Sequence, residues 1–454
     1  MSRDPDFLRH LQDELSDGRA WLDRSIVLAY AAAAGLCVVM FTLMTHTAFE
    51  WFEWLHGTAP WAVLVWTPLV TAFVVWATRR FAPGAAGSGI PQVITALDPA
   101  LPADSRHRFV SLKLTAAKMV LGAMAFLGGL SAGREGPSVQ VGAGVMHNAR
   151  RWLRPGSAMN DRALLVAGGA AGIAAAFNAP LAGVVFAIEE LSNRLEARNN
   201  GLIIAAIVLA GLVGTSAFGN LTYFGSISVP PLNWASLLPG ILVAVVCGVL
   251  GGLFARLLAA STAGMPDRFS ALRRRAPVRF AALCGLAVAA IGLASGGATF
   301  GAGEQEVRHM LAGESDVSRL YVLLKFMATW ITSWSGVPGG IFAPSLSIGA
   351  GVGHDVAQLV AGHNLSALAP SLIAVGMASF LAATTQAPLT SFIIVMEMID
   401  GRPMVLSLMA SAMLASLISR MISRPLYGTL SGMMLRRLPP HLRTPAPPPP
   451  SGQG

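Results

Sequence analysis

The chain has little charge. Asp, Glu, Lys and Arg make up 12% of its 454 residues, about half the share of an ordinary soluble domain. Cysteine is scarce too. Cys37, Cys247 and Cys284 all lie inside apolar runs, which excludes a disulfide framework and reads as packing. The nine histidines show no metal-ligand spacing. There is no phosphate-binding Gly-Lys-Ser/Thr loop, no Gly-x-Ser-x-Gly nucleophile turn and no paired His/Ser arrangement. Enzymatic and metal-dependent functions therefore lack their residues, and no secretory signal peptide is visible.

Apolar residue is abundant. The chain is 54% hydrophobic with a mean hydropathy of +0.59, more than a soluble protein of this length can hide. The expectation is an all-α polytopic membrane protein. The net charge of +9 and pI near 10.3 do not imply nucleic acid. The basic residues fall in short clusters between apolar runs, at Arg79-Arg80, Arg150-Arg151, Arg273-Arg274-Arg275 and Arg436-Arg437, as loops do under the positive-inside rule.

Candidate membrane segments run over Ile26–Met44, Trp61–Ala77, Phe109–Ala132, Ala163–Ile188, Leu202–Phe218, Ala235–Leu258, Phe280–Leu293, Tyr321–Thr332, Gly340–Val352, Ser371–Ala383, Leu389–Ile399 and Met404–Ile422. A straight span needs about 20 apolar residues, and several segments are shorter and broken by Gly or Pro. Broken helices at membrane depth line enclosed or watery cavities, so the pattern points to a transporter or channel. Residues 1–25 are expected to form a polar surface helix, residues 26–435 the membrane domain, and the Pro-rich residues 436–454 a disordered tail.

An internal repeat supports this. Pro137-Ser-Val-Gln-Val-Gly-Ala-Gly-Val145 recurs as Pro344-Ser-Leu-Ser-Ile-Gly-Ala-Gly-Val352 at an offset of 207, which Lys118 and Lys325 share. Asn178-Ala-Pro-Leu181 recurs as Gln386-Ala-Pro-Leu389 at an offset of 208, which pairs Glu189 with Glu397. Two repeats over about 60–230 and 275–435 follow. The sequence alone leaves their relative orientation, parallel or inverted, open.

Five stretches could carry chemistry. Gly133-Arg134-Glu135-Gly136-Pro137 sets a carboxylate and a guanidinium between glycines, with Pro137 suited to a first helical turn. Such a turn exposes amides to an anion, and a titratable Glu135 could fill the site or vacate it. A self-satisfied Arg–Glu loop is the plainer alternative. Gly87-Ser88-Gly89-Ile90-Pro91 offers a hydroxyl on a close-approach backbone, or a plain turn. Gly339-Gly340-Ile341-Phe342-Ala343-Pro344 is the uncharged repeat partner of the Glu135 stretch, with amides at Ile341 and Phe342 free to face an anion or simply packed. Glu189 and Glu190 end a long apolar run, as a proton entry point or an ordinary polar helix end. Tyr427, after Arg424-Pro425-Leu426, is an anion donor or an interfacial aromatic residue.

Together these stretches resemble the CLC family of chloride channels and chloride/proton antiporters, in the family's order across about Ile26–Leu435. The resemblance implies an inverted-repeat CLC-type bundle, forming a homodimer in the bilayer with one pathway per subunit. It implies that Ser88 and Tyr427 hydroxyls and the Ile341 and Phe342 amides hold a central chloride, with Arg134 and Gly136 of the gate motif beside it. It implies that Glu135 is the external gating glutamate and Glu190 the internal proton-transfer glutamate of antiporters, which family channels generally lack. Ser88 resembles chloride-selective members; nitrate exchangers carry proline there. Only 27 residues follow Tyr427, without room for a regulatory nucleotide-binding domain, as in prokaryotic-type members. The expected function is secondary active exchange of chloride for protons across a bacterial inner membrane, with chloride as substrate and no cofactor. A passive chloride channel of the same fold is the alternative; a non-transporting scaffold or an intramembrane enzyme is disfavoured by the buried Glu135 and by the missing catalytic cluster.

Overall fold

The structure is a computed structural model. It describes residues 18–154, 157, 159–192, 200–219, 223–224, 234–313, 317–361, 365–399, 401–439 and 442. Among these residues there are 18 α-helices and no strand. In chain order they are α1 (Gly18–Thr58), α2 (Val63–Phe81), α3 (Ile90–Leu97), α4 (Leu112–Leu127), α5 (Glu135–Asn148), α6 (Asp161–Phe177), α7 (Pro180–Phe186), α8 (Asn200–Phe218) and α9 (Trp234–Ala263). There follow α10 (Arg268–Arg275), α11 (Pro277–Ala294), α12 (Glu304–Ala312), α13 (Tyr321–Ser335), α14 (Phe342–Ala361), α15 (Leu365–Thr385), α16 (Pro388–Met398), α17 (Val405–Ile422) and α18 (Leu426–Arg437). Among the described residues seven helical stretches are long and apolar enough to cross a membrane.

Local signals set the helix ends. Asn160 accepts from Ala163 N at 2.8 Å to cap α6, and Asp267 accepts from Ser270 N at 2.8 Å to cap α10, satisfying amides that lack intrahelical partners. Proline opens α7, α11 and α16 at the first turn, where its missing N–H costs nothing. The expected single segment Ala163–Ile188 is in fact two helices. Asn178 adopts a left-handed φ of 54° and Pro180 follows, which ends α6 and restarts the chain in a new direction. Gln386, at φ 62°, breaks α15 from α16 in the same way. The expected surface helix over residues 1–25 is also corrected where it can be seen: residues 18–25 continue into α1 without a break, and residues 1–17 lie outside the described residues. Arg436 and Arg437 close α18 rather than opening a tail; residues 443–454 lie outside the described residues.

The repeat is visible as paired interactions. Gly142 and Gly168 bring α5 onto α6, and Gly349 and Gly376 bring α14 onto α15; a Cβ at any of the four would strike the opposite backbone. Small residues at such crossings let membrane helices pack backbone to backbone. Lys118 and Lys325 are both fully buried. Lys118 donates to Ala85 O (2.9 Å) and Gly87 O (2.5 Å), and Lys325 to Thr299 O (3.1 Å) and Gly301 O (2.9 Å). The Glu189 carboxylate accepts from Leu389 N (3.0 Å) and Thr390 N (2.6 Å) at the start of α16. The Glu397 carboxylate accepts from Leu181 N (3.2 Å) and Ala182 N (2.7 Å) at the start of α7. Each half caps the other's broken helix with a charge that suits its positive end.

Two faces differ in charge. One carries Arg106 and Arg150, which share Asp161 at 3.0 and 2.6 Å, and Arg154, which reaches Asp23 of α1 at 3.4 Å. At the opposite end of α1, a cavity of about 400 Å³ is lined by Glu50, Glu53, Glu304, Glu306 and Arg134.

The reciprocal caps generate a test. Glu189→Gln and Glu397→Gln each exchange a carboxylate that accepts two N–H bonds for an amide. Each should lower stability by about 1 kcal/mol, read as similar shifts in thermal unfolding of the detergent-solubilised protein, with chloride affinity unchanged.

Candidate functional site

Three loops and one helix start meet at the centre. Gly87 N donates to Val337 O (3.2 Å) and Gly339 N to Gly87 O (3.1 Å). Gly133 N donates to Gly340 O (2.8 Å) and Gly340 N to Gly133 O (2.7 Å). These bonds stitch the loop before α3 and the loop before α5 to the loop before α14. The Gly87–Gly89 loop is held from below by Lys118 and by Gln92, whose Oε1 accepts from Gly89 N at 3.0 Å. Gly89 sits at φ 112°, and a Cβ there would lie 2.6 Å from Gly136 O, so the close approach demands glycine.

Ser88 rides on this loop against the start of α5. The Tyr427 hydroxyl, at the start of α18, lies beside it, close enough for a weak interaction between the two hydroxyls, and neither oxygen has a well-formed hydrogen bond among the described residues. A buried hydroxyl without a partner is costly, and two facing one spot suit a ligand that accepts from both. The Tyr427 ring packs on Phe342 with centroids 6.0 Å apart. Phe342 opens α14, and the first amides of that helix, at Ile341, Phe342 and Ala343, have no intrahelical acceptor. Ser88, Tyr427, Ile341 and Phe342 are thus gathered at one place. Gly136 faces it as well: a Cβ on Gly136 would meet Ser88 Oγ and, at 3.3 Å, Gly340 Cα.

Glu135 is the first residue of α5 and is fully buried. Its Oε2 accepts from Ala343 N at 3.4 Å, while Oε1 has no partner among the described residues. The carboxylate therefore lies over the positive end of α14. Pro137 falls inside the first turn of α5, where its missing N–H is tolerated.

Arg134 does not pair with its neighbour. Its guanidinium reaches Glu304 Oε2 at 3.5 Å and donates to Tyr223 Oη at 2.9 Å, and the Tyr223 hydroxyl donates to Glu304 Oε2 at 2.9 Å. The self-satisfied Arg–Glu loop is thereby replaced by a triad drawn from three distant parts of the chain. Arg134 also lines the acidic cavity beside α1, next to Glu135 in the chain. Sequence reading missed Tyr223 and Glu304. Glu304 opens a short polar helix that no hydropathy window marks, and Tyr223 lies in a connection without periodicity.

Glu190 lies in a single π turn, Ala187–Leu191, that extends α7. Its neighbour Glu189 is committed to α16. Tyr427 is within electrostatic reach of both Glu190 and Glu135.

Comparison with known proteins fits this geometry. The family model described as voltage gated chloride channel matches residues 70–420. A protein of Citrobacter koseri named H(+)/Cl(-) exchange transporter ClcA is 30% identical over 90% of this chain and 89% of its own length. One of the same name from Cronobacter sakazakii is 31% identical over 90% of each. Among solved structures, a slow cyanobacterial Cl-/H+ antiporter is 27% identical, with a TM-score of 0.77 over 91% of this chain and 98% of its own. A eukaryotic CLC transporter at 23% identity shares the fold, with a TM-score of 0.72 over 92% of this chain and 75% of its own. With three quarters of its length matched by that model and its helices arranged as in those structures, the chain belongs to the voltage gated chloride channel (CLC) family.

Proposed function

We propose that the chain is a secondary active transporter that exchanges chloride for protons. The observation that carries this reading is the Glu135 carboxylate lying over the amides of α14, beside two hydroxyls that lack partners. An ionised Glu135 and a chloride ion want the same positive helix end. Protonation removes the carboxylate's claim on that end and frees it for the anion, so one side chain both gates chloride and carries a proton. Ser88 and Tyr427 donate to the central chloride, with the Ile341 and Phe342 amides completing its shell. Gly136 leaves the room, and the Arg134 guanidinium raises the local potential for anions arriving from the acidic cavity. Glu190 supplies protons from the other side, past Tyr427, to Glu135. Relatives named as H(+)/Cl(-) exchange transporters support exchange over passive conduction.

The chain acts without a cofactor and without catalysis of covalent chemistry. By the positive-inside rule the arginine-rich face lies in the cytoplasm, in a bacterial inner membrane, which puts Glu135 nearer the outside and Glu190 nearer the inside. Two subunits form a homodimer with a pathway each, as the gate, serine-loop and tyrosine motifs together imply.

In liposomes, an imposed chloride gradient should move protons uphill in the opposite direction, recorded as a change in external pH. Chloride flux with no proton movement at any voltage would make the chain a channel. Glu190→Gln should stop proton movement and spare chloride flux, whereas Glu189→Gln should keep coupling, because Glu189 is engaged with α16. The reverse pattern would mean that the proton enters by the other acid.

The anion site has its own test. Ser88→Ala and Tyr427→Phe each remove a donor of about 0.5–1.5 kcal/mol. Each should weaken chloride affinity by roughly 2- to 13-fold in calorimetric titration, with thermal stability little changed.

A further inference from the structure

The arginines of the basic face are not all alike. Arg106, Arg150 and Arg154 have carboxylate partners. Four others do not. Arg79 from the end of α2, Arg273 and Arg274 from α10, and Arg437 from the end of α18 line one cavity of about 400 Å³. Among the described residues none of the four forms an ion pair with a carboxylate. Asp267 is the acid nearest to Arg273 and Arg274 along the chain; Arg274 lies within its electrostatic reach, but the carboxylate is engaged in capping α10, accepting from Ser270 N and Ser270 Oγ at 2.8 Å each.

The cavity is built rather than incidental. Arg273 donates to Ser261 O at 2.9 Å and Arg437 to Thr262 O at 2.7 Å. Both guanidinium groups are thus anchored on the last carbonyls of α9, where a cation suits the helix end. Arg79 and Arg274 are exposed on the cavity rim. Burial, and then the positive charges of Arg437 and Arg79, push the Arg273 pKa below its ordinary value. Gathering like charges this way is unfavourable unless an anion joins them, and the planar guanidinium fork matches phosphate oxygens two at a time.

The surroundings say what kind of anion. Phe269, which is 61% exposed, stands on α10 beside the cavity, and Phe81, 60% exposed, follows Arg79 and Arg80 at the end of α2. Above them α2 presents Phe73 and Trp76, and α11 presents Leu283 and Leu286, as exposed apolar side chains. A basic pocket at the foot of an apolar, lipid-facing wall is the arrangement that receives an anionic lipid.

We propose that Arg79, Arg273, Arg274 and Arg437 form a binding site for the phosphate of an anionic phospholipid headgroup, with the acyl chains along α2 and α11. The site ties the end of α18 to α2, α9 and α10. Since α18 begins at the tyrosine of the central site, a bound lipid braces the helix that carries that hydroxyl.

The test uses the full-length protein in a neutral detergent, delipidated and then titrated with phosphatidylglycerol, phosphatidylcholine or inorganic phosphate. Bound lipid is counted by native mass spectrometry and thermal unfolding is followed in parallel. Phosphatidylglycerol should bind and raise the melting temperature, and phosphatidylcholine should not. The double variant Arg79→Gln/Arg274→Gln, which touches neither anchored arginine, should bind phosphatidylglycerol at least about tenfold more weakly. A control with the same loss of charge on the same face, Arg151→Gln/Arg162→Gln, should bind like the parent. Equal stabilisation by inorganic phosphate, lost in the first variant, would keep the phosphate site and overturn its lipid assignment. Equal binding of phosphatidylglycerol by both double variants would overturn the site itself.

Discussion

A helix that ends inside a membrane leaves amides with nothing to bond. The rest of this structure follows from that constraint. Helices α3, α5, α7, α14 and α16 all follow breaks in the chain rather than entering from a long span, and each start must be answered. Those of α7 and α16 are answered by Glu397 and Glu189 from the opposite half. That of α14 is answered by Glu135. The first two acids belong to fixed caps; the third lies beside a spot that also holds two hydroxyls without partners. The same kind of contact thus caps a helix in all three places, and the proposed mechanism has chloride displace only the third. What separates them is the neighbourhood: beside Glu135 stand the Ser88 and Tyr427 hydroxyls, the donors we propose for a replacement anion.

The internal repeat sorts structural residues from functional ones. Residues that hold the scaffold occur twice: Lys118 and Lys325 behind the loops, Glu189 and Glu397 on the helix starts, Asn178 and Gln386 at the left-handed breaks. Residues assigned to transport break the repeat. Glu135 corresponds to Phe342, Glu190 to Met398, and Ser88, counted from the carbonyls that the two lysines grip, to Ala302. A pathway through a symmetric scaffold needs direction, and an acid on one side with an aromatic ring or thioether on the other supplies it.

Much of this was legible in the chain. Low charge and the apolar segments gave the class, the offset of 207 exposed the two halves, and the glycine-flanked loops marked where helices would break. Hydropathy could not see a single left-handed residue, so Ala163–Ile188 read as one helix although Asn178-Ala-Pro was on view. It could not see α12 either, because that helix is polar and short. The partners of Arg134 were beyond reach for a different reason. Tyr223 lies 89 residues from Arg134, and Glu304 a further 81 residues on, and only the fold brings a guanidinium, a phenol and a carboxylate together. The roles of Glu135 and Glu190 came from the motif resemblance, since spacing alone gave each a plainer alternative.

The central claim is that the Glu135 carboxylate and chloride compete for one helix end. Glu135→Gln keeps the shape of the side chain and removes its charge. Calorimetric chloride titration of this variant against the parent reads the competition directly. The account predicts that Glu135→Gln binds chloride more tightly, or binds an additional ion, because the rival anion has gone. Identical stoichiometry and affinity in the two proteins would contradict it.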